Sequence, residues 1–381
     1  MYFNRNIEEA ILESAETYPV ITITGPRQSG KTTLIKHLFK DKAYYNLEFP
    51  DVMERIKADP RAFFSANKEG AIIDEVQKLP ELMSYIQGIV DEEGIPGMFI
   101  LTGSNHFSLM KELSQSLSGR TALFNLLPFA LNEIESVRNH ETDKLILAGF
   151  YPAIFTKKIK AYNLYQNYYH TYIERDVRNL INVKNISDFQ KFVKLCAGRI
   201  GQIFNAASLA DEVGVSVPTI KAWLSVLEAS FVAFTLPPWY DKIKKRLIKS
   251  PKLYFYDTGL ASYILGIETP EQLSRDPLRG NLFENLIVTE FIKRRYNKGR
   301  DFNFYFFRDN HGTEVDLIIP EGNAIKGVEI KSAQTFNNSF LKGLKALKKI
   351  YPERNRENIL IYQGESFGFI NDVDVRNYLD I

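Results

Sequence analysis

The octapeptide Gly25-Pro26-Arg27-Gln28-Ser29-Gly30-Lys31-Thr32 has the spacing GxxxxGK[ST] and falls between an apolar run, Val20 to Thr24, and the helix-forming stretch that continues Thr33-Leu34-Ile35. Glycines at such a junction let consecutive backbone N–H groups turn inward around phosphate oxygens, and the helix N-terminus adds its partial positive charge. Lys31 then reaches the terminal phosphates and Thr32 offers its hydroxyl to Mg²⁺. The spacing predicts a site for ATP and Mg²⁺ on Gly25, Pro26, Arg27, Gln28, Ser29, Gly30, Lys31, Thr32 and Thr33. A chance glycine-rich turn is the competing reading, and the complete motif between strand and helix argues against it.

About forty residues on, Ala71-Ile72-Ile73 runs into two carboxylates, Asp74 and Glu75. Asp74 is expected to hold the magnesium, with Thr32, and Glu75 to polarise the attacking water, which implies hydrolysis. Two acids could also merely open a solvated loop; their distance from the glycine-rich motif favours the catalytic reading. The next apolar run, Met98 to Gly103, ends in Ser104 and Asn105, small polar groups able to orient water or sense the terminal phosphate at the carboxyl edge of a sheet. Arg120 could reach the phosphates of its own or a neighbouring subunit, or simply close a helix.

A second constellation lies far downstream: Glu284, Asp316, and Glu329 with Lys331 in Gly327-Val328-Glu329-Ile330-Lys331. Side chains alternate along a strand, so Glu329 and Lys331 share a face, and a neighbouring strand can bring Asp316 beside them. Two carboxylates that hold Mg²⁺ and a lysine that positions hydroxide would suit phosphodiester cleavage. Each residue alone is unremarkable, and a Glu-x-Lys at a strand end is usually a solvated edge.

The elements that position these groups follow from hydrophobic spacing. Residues 1–148 alternate short apolar runs with helical segments, the pattern of a parallel sheet covered by helices. Residues 149–255 read as helical, with Tyr and Leu at helical spacing from Tyr162 to Ile181. Within them, Asn205 to Leu227 resembles helix, Gly214 turn, helix; its second helix would offer Ser216, Thr219 and Lys221 to a duplex. Six cations between Lys242 and Lys252 make a basic wing, although one cation on the second helix supports base reading poorly. Residues 256–381 begin with a turn at Gly259 and then read as the order αβββαβ. The fold class expected is α/β: a P-loop NTPase parallel sheet, then an α-helical winged-helix module, then a nuclease-like αβββαβ domain.

Bulk properties exclude other classes. Lys plus Arg number 48 and Asp plus Glu 46, so basic character must be local. A single cysteine, Cys196, rules out a disulfide framework and a cysteine-based metal site. No apolar stretch is long enough to span a bilayer, and the first residues read as an amphipathic helix rather than a leader, so the expected place is the cytoplasm, without membrane insertion. A transporter ATPase is disfavoured because no LSGGQ-type signature occurs.

Taken together, GPRQSGKT (25–32), IIDEVQKLPEL (72–82), LTGS (101–104), SGR (118–120), YIERDV (172–177), SPKLYFYDTGL (250–260), GNLFEN (280–285), GTEVDLI (312–318) and VEIKS (328–332) resemble a family of bacterial and archaeal AAA-like ATPases. Their C-terminal region resembles a restriction-endonuclease-like domain of undefined function. The resemblance implies ATP on Lys31 and Thr32, Mg²⁺ on Asp74, and a nuclease-type site at Glu284, Asp316, Glu329 and Lys331. It leaves two expectations open: an ATPase whose nucleotide state controls a module acting on DNA, in a homo-oligomer by analogy, or a switch whose inactive nuclease-like domain binds a protein partner.

Overall fold

The computed structural model describes residues 2–104, 116–177, 185–240 and 250–381, and for 174–177 the backbone alone. Asn105 and the cations Lys242, Lys244, Lys245, Arg246 and Lys249 lie outside the described residues.

The N-terminal unit is a parallel sheet of β1 (Val20–Thr24), β2 (Ala43–Asn46), β3 (Ala71–Asp74), β4 (Phe99–Gly103) and β5 (Thr121–Asn125) in the order β2-β3-β4-β1-β5. β1, β3 and β4 are buried along their whole length, as their continuous apolar runs require. Helices α1 (Glu8–Ala15), α2 (Lys31–Leu38), α3 (Pro50–Ala58), α4 (Pro60–Ala66) and α5 (Leu82–Glu93) supply the rest of the unit. One core forms around Ile11, Ile21, Leu34 and Ile100, the other around Ile73, Met83, Ile86 and Leu101.

The chain then folds through α6 (Thr142–Ala148), α7 (Pro152–Thr156), α8 (Ala161–Tyr168) and a π-helical stretch, Tyr169–Val177. After α9 (Ile186–Ala197) come β6 (Gln202–Ile203), α10 (Ala206–Val213), α11 (Val217–Ala229), β7 (Ala233–Leu236) and β8 (Lys252–Phe255). The three strands form one antiparallel sheet in the order β6-β8-β7. Asn205 caps α10 and Gly214 ends it in the left-handed conformation, while Ser216 caps α11, so the helix–turn–helix spacing is folded as read.

The expected turn at Gly259 is instead the second residue of α12 (Thr258–Leu265), capped by Asp257 through the Leu260 N–H. Glycine is needed for proximity: a Cβ there would stand 2.5 Å from the Tyr165 ring. After α13 (Pro270–Arg275) and α14 (Arg279–Tyr296) the order is β9 (Tyr305–Arg308), β10 (Glu314–Glu321), β11 (Ala324–Lys331), α15 (Lys342–Ile350) and β12 (Asn355–Tyr362). That is the αβββαβ sequence expected, extended by β13 (Gly368–Ile370) and β14 (Val373–Asn377) into a six-stranded sheet, β13-β14-β12-β11-β10-β9.

A single hydrophobic cluster runs from Leu127 to Tyr378 and includes Tyr165, Phe192, Leu227, Tyr254 and Phe283. The boundary expected between 255 and 256 therefore falls inside one continuous core. Beyond β7 the chain adds to the edge of the C-terminal sheet, where Trp239 N–H donates to the Phe306 carbonyl at 2.6 Å and Phe306 N–H to that of Pro237 at 3.1 Å.

Candidate functional site

Strand β1 aligns with β4 residue by residue, Ile23 opposite Thr102, and β4 aligns with β3, Leu101 opposite Ile73. All strands of this sheet run parallel, so the loop after β1, the Asp74–Glu75 pair and Ser104 gather at one carboxyl edge. The loop turns on left-handed residues: Gly25 at φ 146°, Gln28 at 64° and Gly30 at 99°. A Cβ on Gly25 would stand 2.2 Å from the Leu126 carbonyl oxygen, so only glycine lets the loop leave the strand there.

Lys31 is buried, and its ammonium donates to the carbonyls of Gly25 (3.0 Å) and Pro26 (2.9 Å). Burial pulls its pKa down to about 8 against the opposing pull of Glu75 and Asp74. Thr32 Oγ1 donates to Asp74 Oδ2 at 2.7 Å, and the Tyr44 hydroxyl donates to the same oxygen at 2.7 Å. The other oxygen, Oδ1, accepts from Thr102. Burial first, then the bond to Asp74, raises the Tyr44 phenol, so it stays a donor. Glu75 sits at φ 58°, which turns its carboxylate back toward the strand end; its Oε2 accepts from Ser104 Oγ (2.9 Å) and Gln77.

These residues suit a nucleotide and its magnesium. The Ser29 hydroxyl is buried inside the loop with no partner among the described residues, Thr32 and Asp74 are in mutual contact, and the lysine lies under the loop. The cleft above has a volume of about 580 Å³, bounded by Arg27, Lys31, Thr33 and Glu75 on one side and Pro152, Lys157, Tyr168 and Tyr172 of the middle unit on the other. Arg27 ties the two walls together, its guanidinium 5.5 Å from the centre of the Tyr172 ring and 3.9 Å from Glu48.

Arg120 is not brought to this site. It precedes β5 at the amino edge, the β5 end paired with Val20, roughly 15 Å of strand from the phosphate loop. There it pairs with Asp91, Nη2 to Oδ2 at 2.8 Å.

Three site residues escaped sequence reasoning. Thr102 and Tyr44 fix Asp74 from both sides, and a threonine inside an apolar central strand was the available signal for Thr102. Arg5 is the third: it donates to the Ser29 carbonyl (3.1 Å), the Leu127 carbonyl (2.7 Å) and Glu133 (3.1 Å), fully enclosed. Nothing in its sequence surroundings marks it.

At the C-terminal constellation, Asp316 on β10 and Glu329 and Lys331 on β11 do converge, with Glu284 reaching in from α14. Lys331 Nζ lies 2.6 Å from Glu329 and 3.7 Å from Asp316. Asp316 Oδ2 accepts from the Ile330 N–H at 2.8 Å. A further cation enters from β8: Lys252, expected on the solvated wing, is instead buried, 3.0 Å from Glu284, 4.0 Å from Asp316 and in contact with Glu314. The Tyr254 hydroxyl donates to the same Glu284 oxygen at 2.5 Å. Burial and then Asp316 push the Glu284 pKa up to about 7 and that of Glu329 to about 8. Burial opposes the charge on Lys252, and the carboxylates Glu284, Asp316 and Glu314 outweigh it, so this ammonium is held charged. Among the described residues no group of three His, Cys, Asp or Glu is arranged to hold a metal ion, and here the carboxylates are engaged by Lys252 and Lys331, so the cluster with these lysines in place does not fit the Mg²⁺ expected there.

The sheet, the phosphate loop and the paired acids define an AAA-like P-loop ATPase domain, and residues 17–135 match the family model described as an AAA domain. Residues 139–271 and 279–378 match two domains of unknown function, DUF8612 and DUF4143. The chain belongs to the same family as the uncharacterized protein Rv2008c of Mycobacterium tuberculosis, to which it is 30% identical over 321 residues, 83% of this chain and 71% of the relative. It is also similar to the uncharacterized protein MJ1544 of Methanocaldococcus jannaschii, 25% identical over 99% of this chain and 89% of that one. Among solved structures it is similar to the Walker-type ATPase PABY2304 of Pyrococcus abyssi (14% identity, TM-score 0.45, 69% of this chain and 96% of that one). AMPPCP-bound DnaA from Aquifex aeolicus is similar at 16% identity and TM-score 0.30, over 58% of this chain and 85% of that one. Among the described residues no helix is long and apolar enough to cross a membrane.

Proposed function

We propose that this protein binds and hydrolyses Mg-ATP, and that its nucleotide state controls a winged-helix and nuclease-like module acting on DNA. The observation that carries the ATPase reading is the contact of Thr32 with Asp74 beside a Glu75 held by Ser104. Lys31 and the loop N–H groups would hold the triphosphate, Thr32 and Asp74 the magnesium, and Glu75 would orient the water for in-line attack. Magnesium supplies charge neutralisation on the phosphate oxygens. Asn105, outside the described residues, is proposed with Ser104 to orient the water or sense the terminal phosphate.

Control of the module is supported by a chain of buried polar contacts. Arg5 joins the Ser29 carbonyl of the phosphate loop to Glu133, and Glu133 accepts from the Ala130 N–H at 2.8 Å. One residue on, the Leu131 N–H donates to Glu290 of α14 (2.8 Å), and Lys293 of the same helix donates to the Phe129 carbonyl (2.7 Å). A loop that tightens around a triphosphate thus bears on the helix that carries Glu284.

The helix α9, strand β6, helices α10 and α11, and strands β7 and β8 support a winged-helix reading, and the exposed Lys221 on α11 suits a phosphate contact. A second reading, a switch with a non-cleaving docking domain for a protein partner, is favoured by one observation: Lys252 among the carboxylates. Steady-state ATP hydrolysis, measured with and without duplex DNA, tests the first. Turnover lost in Lys31→Ala and stimulated by DNA in the wild type is the expected result; DNA-independent turnover with no salt-sensitive DNA binding would leave the second.

A further inference from the structure

Four carboxylates, Glu284, Glu314, Asp316 and Glu329, lie within 4.0 Å of the ammonium groups of two lysines that come from different directions. Lys331 comes from β11, the strand that bears Glu329. Lys252 comes from outside the C-terminal sheet, on a strand that pairs with β6 and β7 of the middle unit. Its Nζ lies over the Phe306 ring, 5.6 Å from the ring centre, and among Glu284, Glu314 and Asp316.

Such enclosure has consequences. An ammonium taken out of water is stable only where carboxylates replace its hydration, and here three do so. The same oxygens are the ones a divalent cation would need, and hard cations take carboxylate oxygens in number. Lys252 and a metal thus compete for the same oxygens: a divalent ion placed among Glu284, Glu314 and Asp316 would have to displace the ammonium that now contacts all three. The tether is short, because Leu253 next to Lys252 is fully buried and in register with Gln202 and Thr235.

We propose that Lys252 is the resident cation of this cluster: it holds the divalent-metal position closed and, from β8, pins the middle unit to the C-terminal sheet. This rests on the nuclease-like reading of the module only for the expectation that a metal belongs there. A module so closed engages its partner without metal-dependent cleavage unless β8 withdraws.

Manganese binding to the full, nucleotide-free chain, followed by electron paramagnetic resonance of free Mn²⁺, tests it. Expected: the wild type takes up no Mn²⁺ at the cluster, Lys252→Met gains one ion per chain, and adding Asp316→Asn to Lys252→Met removes that ion again. Where Lys252→Met does not fold, Lys252→Gln, which keeps a neutral donor in the space, is expected to gain the ion instead. Stoichiometric Mn²⁺ on the wild type that Asp316→Asn abolishes would overturn the proposal, as would a folded Lys252 variant that binds none. Wild-type duplex binding, assayed separately, decides the DNA reading: its absence with Mn²⁺ gained by Lys252→Met leaves the resident lysine standing and removes only the DNA role.

Discussion

The Thr32 hydroxyl donates to the Asp74 carboxylate at 2.7 Å, joining the first turn of α2, which follows β1, to the end of β3 across the one intervening strand, β4. The two side chains expected to share a magnesium ion are therefore positioned by the sheet itself. Asp74 is also held by Tyr44 and Thr102, so its carboxylate has little rotational freedom to lose on binding a metal.

From that arrangement, Asp74→Ala and Glu75→Gln are expected to fail differently. Asp74→Ala removes the acceptor shared by Thr32, Tyr44 and Thr102, and weakens magnesium-dependent ATP binding. Glu75→Gln keeps the shape and the magnesium ligands, so ATP affinity persists while turnover drops about 10²- to 10⁴-fold, the range for loss of a positioned base. Calorimetric titration with a non-hydrolysable analogue, set beside phosphate release, separates the two; equal turnover in Glu75→Gln and wild type would remove Glu75 from the mechanism.

A pH dependence follows from Lys31. Burial holds its pKa down at about 8 in the free protein. A triphosphate alongside favours the charged form, so the bound pKa is higher and binding above pH 8 takes up a proton. Affinity for ATP is then steady between pH 7 and 8 and falls as the pH rises further, with a limiting slope of about tenfold per unit. Lys31→Arg, charged throughout, loses that slope whatever its absolute affinity. Titrations between pH 7 and 9.5 decide it.

Arg120→Ala is expected to leave ATP affinity unchanged at protein concentrations where the chain is monomeric, because the side chain sits at the far edge of the sheet with Asp91. A loss of affinity under those conditions would contradict the placement. A turnover defect that grows with protein concentration would instead show that a second copy delivers the arginine.

Asp257 anchors the middle of the molecule. One carboxylate oxygen accepts from the Phe150 N–H at 2.8 Å and the other caps α12 through the Leu260 N–H at 3.0 Å, with the side chain buried. Asp257→Ala orphans two buried donors and is expected to cost about 3 kcal/mol in urea unfolding. Asp257→Asn, which keeps an acceptor for one of them, costs less.

Much of this was legible in the sequence, and what was not has physical reasons. The phosphate loop, Asp74, Glu75 and Ser104 were readable because a contiguous motif on a known strand–helix junction fixes its own geometry. The αβββαβ order was readable from alternation, but β13 was not, since its Phe369 is exposed, and β14, which alternates with buried Val373 and Val375, is only five residues long. Lys252 was misplaced because its sequence neighbours include five other cations, whereas its register on β8, opposite Leu236, sets it inward. Gly259 reads as a turn when only its flexibility is considered; its actual constraint is the Tyr165 ring, ninety-four residues upstream and invisible locally. Arg5 belongs to the same category, since its three acceptors come from chain segments 24, 122 and 128 residues away.

Arg5 also offers the sharpest separation of stability from function. Arg5→Met leaves Glu133 as a buried uncompensated charge and is expected to destabilise the fold by about 3 to 5 kcal/mol. Changing Glu133 to Met as well removes that charge and returns much of the loss, because a buried ion pair exchanged for apolar side chains of similar size is often close to neutral. ATP affinity should not return with it. The Ser29 carbonyl still lacks the Nη1 donor that orients the loop, and the Leu131-to-Glu290 contact loses the Glu133 that braces its neighbour Ala130. Thermal unfolding and nucleotide titration of Arg5→Met and the double variant read the two effects apart. Parallel recovery of both would mean that Arg5 is only a structural ion pair; recovery of stability alone places it in control of the phosphate loop.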